Sequence, residues 1–172
     1  MRRLHGRFIF AYFREVRQLA ILSWITVGLF FGLLFVIAWI DAKTMRIPNR
    51  LNVCMLVLGI CAIVTVPGPA VIQRLLGMLV ISGCMILVVL ILPGGFGGGD
   101  IKLMAAGGLF LGLEGSILAV ELSILASGFY AIFLVIWKKA KGKDFFPFGP
   151  FLCGGMMASF VILCMRGSYH II

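Results

Sequence analysis

The sequence predicts an all-α polytopic membrane protein with about six transmembrane helices. Hydrophobic residues make up 62% of the 172 positions and charged residues only 12%, whereas about a quarter of the residues in a soluble domain are charged. The apolar residues form runs close to the roughly 20 residues that a helix needs to cross a bilayer. The basic residues cluster beside these runs, which is typical of membrane proteins and does not indicate nucleic-acid binding.

The first 20 residues differ from the rest. They carry five arginines, and apolar residues recur there at helical spacing, which predicts an amphipathic helix on a membrane surface. We therefore divide the chain into a basic N-terminal segment, residues 1–20, and a membrane-embedded domain, residues 21–172. Six apolar runs in that domain predict its spans. They cover approximately residues 21–40, 51–66, 75–92, 101–113, 116–137 and 151–165.

Proline and glycine mark the turns between these runs. Pro48 suits the first position of a helix, where its missing N–H costs nothing, and Pro67-Gly68-Pro69 makes a tight turn after the second run. The segment from Gly112 to Gly115 separates the fourth run from the fifth. The fourth run would be roughly 20 Å long as a helix, which is short for a full crossing. We therefore expect Asp100, directly before it, to lie below the membrane surface.

Asp100 ends a glycine-rich segment between two apolar runs. Five of the six residues before it are glycine, and glycine lets another backbone approach closely because it has no Cβ. Asp41 ends the first run, and the alternation of spans brings it to the same side of the membrane as Asp100. Taken alone, Asp41 is more simply interpreted as a charged helix end at headgroup level. Ionisable groups at membrane depth are costly and usually functional, so the two aspartates form the candidate site.

Other polar residues give weaker signals. Glu121 lies inside the fifth run, roughly 24 Å from the end nearest the aspartates, and we expect it to be a structural hydrogen-bond partner of another span. The two histidines, His5 and His170, are terminal and indicate no metal site. The five cysteines are scattered through apolar runs without a Cys-x-x-Cys pair, so they predict neither a zinc site nor a disulfide framework.

Three segments, taken together and in their order, resemble the type IV prepilin peptidases, membrane aspartyl proteases named for a Gly-x-Gly-Asp motif. The segment similar to the family's first aspartate motif is Asp41 with Ile47-Pro48-Asn49. The segment similar to its second motif is Gly97-Gly98-Gly99-Asp100, followed by Ile101-Lys102-Leu103. The start of its last helix resembles Pro147-Phe148-Gly149-Pro150. The resemblance covers residues 21–165 and implies that the two aspartates are catalytic.

The resemblance implies an endopeptidase that cleaves a short basic leader from a prepilin at the cytoplasmic face of the cell membrane, commonly after a glycine. It implies no metal and no organic cofactor. Bifunctional members also N-methylate the new N-terminus and carry an insertion with paired Cys-x-x-Cys motifs, which this sequence lacks. We therefore expect peptidase activity alone, as in short members that process Flp-type or archaellin-like subunits. The expected partners are the prepilin, membrane lipids and a pilus or secretion assembly.

Two carboxylates held close together cannot both ionise cheaply, so they share a proton and titrate as a unit. The ionised member takes a proton from water while the protonated member polarises the scissile carbonyl. Neighbouring glycines are expected to admit the substrate backbone, and nearby cations to steer an acidic residue of the substrate. These substrate-binding candidates are Gly97, Gly98, Gly99, Lys102, Lys43 and Arg46. The remaining motif residues are expected to be structural: Pro48, Asn49, Pro147, Gly149 and Pro150.

Charge distribution bears on the orientation of the chain. Lysine and arginine are concentrated in the loops on the aspartate side, which by the positive-inside tendency is cytoplasmic. These residues are Lys43, Arg46, Arg50, Lys102, Lys138, Lys139, Lys141 and Lys143. The five N-terminal arginines favour the opposite orientation, so the side on which residues 1–20 lie stays open.

Two other functions fit parts of the pattern. A small cation transporter or channel would use Asp41, Asp100 and Glu121 as intramembrane acids, since broken helices and midmembrane acids are how such proteins build sites. However, two of these acids gather at one face, whereas a pathway needs polar groups spread across the bilayer. A non-catalytic scaffold of a secretion or pilus machine would leave both aspartates dispensable and explains the glycine run poorly.

Overall fold

Every regular element in the described part of the chain is helical. The computed structural model describes the backbone of residues 2–92, 96–138 and 147–169, and the side chains of residues 18–92, 96–137 and 147–169. Its helices are α1 (Arg2–Thr44), α2 (Asn49–Thr65), α3 (Val71–Ile91), α4 (Gly98–Lys138) and α5 (Gly149–Met165). The all-α prediction is confirmed.

Within the described part of the chain, three segments are long and apolar enough to cross a membrane: Gln18–Thr44, Val71–Ile91 and Gly98–Trp137. The helices α2 and α5 are shorter and also apolar. The outward surfaces of the long helices expose large hydrophobic side chains, such as those of Phe35 on α1 and Leu90 on α3. Because such a surface is stable in lipid rather than in water, the prediction of a polytopic membrane protein is confirmed.

The helix α4 consists of two helical halves joined at Gly112, whose backbone has φ 70° and ψ −179°. Only glycine adopts a positive φ of this kind without strain. Contacts with α5 show that the chain reverses there. The first half of α4 packs parallel to α5, whereas the second half packs antiparallel to it. The respective pairs are Gly107–Met156 and Phe110–Phe160, then Gly115–Leu163 and Ala119–Gly155.

With α4 counted as two halves, the structure contains the six apolar helical segments that the sequence predicts. Several boundaries differ. The helix α1 ends at Thr44 rather than at residue 40, and α3 begins at Val71 rather than at residue 75. The helix α4 begins at Gly98 rather than at residue 101 and so includes two glycines of the glycine-rich segment. The predicted turn before the fifth segment is confirmed at Gly112. There, the Ser116 hydroxyl donates to the carbonyl oxygen of Gly112, four residues back along the chain, at 2.7 Å.

Glycines allow the helices to pack at backbone distance. A Cβ on Gly108 of α4 would lie 2.7 Å from the carbonyl carbon of Gly77 on α3, so these helices cross with their backbones in contact. Similarly, a Cβ on Gly59 of α2 would lie 3.0 Å from the carbonyl oxygen of Ala106. Small residues commonly allow such close helix contacts in membranes. The first half of α4 is therefore enclosed between α2 and α3.

Arg74, on α3, is buried at the end of the bundle opposite the aspartates, with 1% of its surface exposed. Its guanidinium donates to carbonyl oxygens at the end of α2, in the following turn and at the end of the first half of α4. These acceptors are Val66 at 2.7 Å, Phe110 at 2.9 Å, Pro69 at 3.2 Å and Leu109 at 3.4 Å. Arg74 thus satisfies carbonyl groups that the helix ends leave free.

The N-terminal part of the chain is helical from Arg2 and continuous with the first span. The division into residues 1–20 and 21–172 stays a prediction, because the side chains of residues 2–17 lie outside the described part. Gly94, Gly95 and the lysine-rich segment 139–146 also lie outside the described part, so the predictions for them stay predictions.

Candidate active site

One end of the bundle brings together the end of α1 and the beginnings of α2, α4 and α5. Asp41 lies near the end of α1 and is 5% exposed. Its Oδ2 accepts a hydrogen bond of 3.0 Å from the backbone N–H of Gly149, the first residue of α5. The free N–H groups at a helix start favour a carboxylate. The two residues are 108 positions apart in the sequence.

Gly149 can occupy this position because it has no side chain. A Cβ there would lie 2.7 Å from the Asp41 Cγ, well inside the normal contact distance of about 3.5–4.0 Å between carbon atoms. The conformation of Gly149 is helical, so the requirement for glycine comes from the neighbouring carboxyl group rather than from the backbone. The predicted structural role of Gly149 thus has a specific physical basis.

Asp100 lies in the first turn of α4 and is 7% exposed. Its Oδ2 accepts a hydrogen bond of 3.2 Å from the backbone N–H of Gly97. Its Oδ1 is buried and has no hydrogen-bond partner among the described residues. A buried acceptor without a donor is costly, so this oxygen is suited to carry a proton or to meet a donor from a bound molecule.

The two carboxyl groups line one cleft of about 290 Å³ and are close enough for their charges to interact. The structure therefore brings together the two aspartates that the sequence singles out. The remaining wall is formed by the segment after α1 and by the glycines before Asp100. These residues are Met45, Arg46, Ile47, Gly97, Gly98 and Gly99.

The three glycines of the cleft have different surroundings. A Cβ on Gly97 would lie 3.0 Å from the Asp100 Oδ2, and one on Gly99 would lie 3.0 Å from the Ile47 Cβ. By contrast, a Cβ on Gly98 would meet nothing within 4 Å. Packing within the protein thus accounts for two of these glycines, and Gly98 is the one that leaves open space at the cleft.

Of the three cations predicted to bind substrate, Arg46 is the one that lines the cleft. The Lys43 ammonium lies over the Trp39 ring, 4.5 Å from its centroid. The Lys102 ammonium donates a hydrogen bond of 3.0 Å to the Asn49 Oδ1. Lys43 and Lys102 therefore have contacts of their own outside the cleft wall.

The motif prolines lie at helix starts. Pro48 is the residue before α2 rather than its first helical residue, a difference of one position from the prediction. Its carbonyl accepts a hydrogen bond from the N–H of Leu51, at 3.0 Å, so Pro48 still opens the first turn. Pro150 lies in the first turn of α5. Pro147 precedes Phe148, whose ring packs on Phe96 at 5.2 Å between centroids, edge to face.

The expectation for Glu121 is wrong. Its side chain is exposed on the outer surface of α4, and it makes no hydrogen bond or ion pair within the part of the chain that the structure describes. The periodicity of the fifth run could have shown this, because Ser123, Ala119 and Ser116 are buried on the opposite face. Glu121 therefore does not line the aspartate cleft.

Sequence reasoning missed three residues near the site. Asn52 donates from Nδ2 to the carbonyl oxygen of Gly99, at 3.4 Å. Cys153 is fully buried on α5, near both aspartates. Met45 has a positive φ of 51°, unusual for a residue with a side chain. Asn52 alone carried a usable signal, as a polar residue inside an apolar run and three positions after Asn49.

Two comparisons with known proteins find matches to this chain. The model of the type IV leader peptidase family matches residues 28–132, which include both aspartates. The prepilin leader peptidase/N-methyltransferase of Bacillus subtilis (strain 168) is 31% identical over 134 residues, which are 77% of this chain and 53% of that protein. The chain thus spans about half the length of this relative. No solved structure gives a significant match. Since the family match covers more than half of the sequence, the chain belongs to the type IV leader peptidase family.

Proposed function

We propose that this protein is a membrane-embedded aspartic endopeptidase that removes the leader peptide from type IV prepilin-like precursors. The observation that carries the proposal is the cleft in which two buried carboxyl groups, Asp41 and Asp100, come together. Both lie in the segment matched by the family model. The name of the relative from Bacillus subtilis also includes prepilin leader peptidase activity.

The chemistry follows from two carboxyl groups that share one proton. The ionised group takes a proton from a water molecule, whose oxygen attacks the scissile carbonyl carbon, while the protonated group donates its proton to the carbonyl oxygen. The tetrahedral intermediate then breaks its C–N bond, and a proton passes to the leaving amine. Each carboxyl group ends the cycle ready for another turnover. This mechanism uses no metal or organic cofactor.

The substrate would lie along the open side of the cleft. Gly98 leaves space next to Asp100, which suits the close approach of a peptide backbone. Arg46, which also lines the cleft, is exposed and suits an acidic residue of the substrate. We assign no direct substrate contact to Lys43 or Lys102, since each already has a contact elsewhere.

The active site faces the cytoplasm in this proposal. The aspartate end of the bundle carries Lys43, Arg46, Arg50 and Lys102, and the positive-inside tendency favours the cytoplasmic side for such an end. The cell membrane surrounds the apolar outer surface, so lipids are direct partners. The processed prepilins would then pass to a pilus or secretion assembly.

We extend only the peptidase part of the relative's name to this chain. The sequence contains no Cys-x-x-Cys pair, and its five cysteines are free thiols. Flp-type and archaellin-like precursors are therefore the substrates to test first. A cation transporter has less support, since its third acid, Glu121, is exposed on the outer surface and not in line with the cleft.

The test is cleavage of Flp-type and archaellin-like precursors by the purified protein in detergent or lipid, followed as a size shift on a gel. We expect Asp41→Asn and Asp100→Asn each to lower the rate by about 100-fold or more, because each removes one partner of the proton transfer. The matched control is Glu121→Gln, which removes an acid outside the cleft and should cleave at the wild-type rate. Cleavage by either aspartate variant at a rate near that of wild type would refute the dyad.

A further inference from the structure

Asn52 is a polar side chain buried next to the catalytic end of α4. It lies in the first turn of α2 and is 6% exposed. Its Nδ2 donates to the carbonyl oxygen of Gly99, at 3.4 Å, while its Oδ1 is buried without a partner among the described residues. Burying an amide with only part of its hydrogen bonds made costs free energy. Packing alone does not account for an asparagine here.

The residue that Asn52 binds directly precedes Asp100. The first turn of α4 contains Gly98 and Gly99, and glycine restricts the backbone less than any other residue. Without an external contact, the peptide that leads into Asp100 would therefore be poorly fixed. The bond from Asn52 holds this peptide on one side, and Ile47 packs against Gly99 on the other.

A second polar contact joins the same two helices. Lys102 of α4 donates a hydrogen bond to Asn49 of α2. The pairs Lys102–Asn49 and Asn52–Gly99 thus both connect α2 with α4. The Lys102 contact is exposed, and exposed contacts of a charged side chain contribute little. The side chain of Asn52 is buried, so water competes less for its contact with the first turn of α4.

We propose that Asn52 is a positioning residue that fixes the carboxyl group of Asp100 relative to that of Asp41. Asn52 is not among the residues that line the cleft, so it acts through Gly99 and not on the substrate. The proposal rests on the proposed peptidase function. It predicts that loss of the Asn52 amide lowers kcat and leaves KM nearly unchanged.

The pH profile separates positioning from a general structural role. The mutual repulsion of two close carboxyl groups spreads the two limbs of a bell-shaped profile, and a looser placement of Asp100 weakens that repulsion. The limbs should therefore move toward each other when the Asn52 contact is lost. Other titratable or charged groups near the pair are Cys153 from α5 and Arg46 from the segment after α1, and the substitution leaves both unchanged.

The experiment compares wild type with Asn52→Leu, which has a similar size but no hydrogen-bonding groups, in the full chain in detergent. We expect kcat to fall about 10- to 100-fold, since small misplacements of catalytic groups have effects of this order. KM should change less than about threefold and the pH profile should narrow. Asn52→Gln, which keeps an amide donor, should recover part of kcat and of the profile width. Thermal unfolding shows whether each variant is folded.

The matched control is Ser82→Ala, which also removes a buried polar side chain, but one that bonds within its own helix, α3. It should leave kcat and the pH profile as in wild type. If Asn52→Leu does not fold, Asn52→Ser replaces it and carries the same prediction, because it removes the amide with a smaller side chain.

A folded Asn52 variant with kcat within twofold of wild type would overturn the proposal. So would a lower kcat with an unchanged profile width, or a change confined to KM. Failure of the underlying function looks different, since the wild-type protein would then cleave no precursor, or Asp41→Asn or Asp100→Asn would cleave at the wild-type rate. In that case both the proposed function and this inference would be wrong.

Discussion

Gly149→Ala tests whether the position of Asp41 depends on the start of α5. The added methyl carbon would lie 2.7 Å from the Asp41 Cγ, and two carbon atoms prefer a separation of about 3.5–4.0 Å. The carboxyl group must therefore move by about 1 Å, and its hydrogen bond from the Gly149 N–H is strained or lost. A displacement of this size at a reacting group costs about 100-fold in rate.

The assay is cleavage of a prepilin-like precursor, with thermal unfolding measured on the same preparations. The matched control is Gly154→Ala on the same helix, where a Cβ meets nothing within 4 Å. Alanine forms a helix better than glycine, by about 1 kcal/mol in a helix interior, so helix propensity does not predict a loss of activity in Gly149→Ala. A folded Gly149→Ala protein that cleaves at the rate of Gly154→Ala would refute the reasoning.

Three further predictions concern stability and substrate access. Arg74→Met should lower the free energy of unfolding by roughly 3 kcal/mol or more, because buried carbonyl groups lose a charged donor. Thermal unfolding in detergent measures the effect, and stability like that of wild type would contradict this account of Arg74. Met45→Gly should raise the free energy of unfolding by about 1 kcal/mol, because Met45 has a φ of 51°, which glycine adopts without strain. A loss of stability would show that the Met45 side chain contributes more than its backbone strain costs. Gly98→Ala should fold normally and raise KM for the precursor, because its methyl group enters the open space of the cleft; an unchanged KM would show that substrate does not pass there.

The pairing of the aspartates could be predicted from the sequence because it depends on features that are local in the chain. Asp41 ends one apolar run and Asp100 begins another, and the alternation of spans brings such ends to the same side. The reversal at Gly112 was also predictable, since two glycines interrupt an otherwise continuous apolar pattern. These features need only periodicity, run length and the conformational freedom of glycine.

The contacts that complete the site could not be predicted, because they join residues far apart in the sequence. The N–H of Gly149 reaches Asp41 across 108 positions, and Lys102 reaches Asn49 across 53. Arg74 follows the same rule, since its strongest contacts are with backbone carbonyls of other segments, which carry no residue-specific signal. The prediction for Glu121 was wrong because depth in a span does not tell which face of the helix a residue occupies.

The central claim is that Asp41 and Asp100 act as one catalytic unit, and the most direct test compares the two single asparagine variants with the double variant. Residues that act as a unit are strongly non-additive, because losing either one already abolishes the shared proton transfer. We predict that precursor cleavage by Asp41→Asn, Asp100→Asn and the double variant falls to the same low rate, within a few-fold. Losses that multiply in the double variant, or one single variant that keeps wild-type cleavage, would contradict the account.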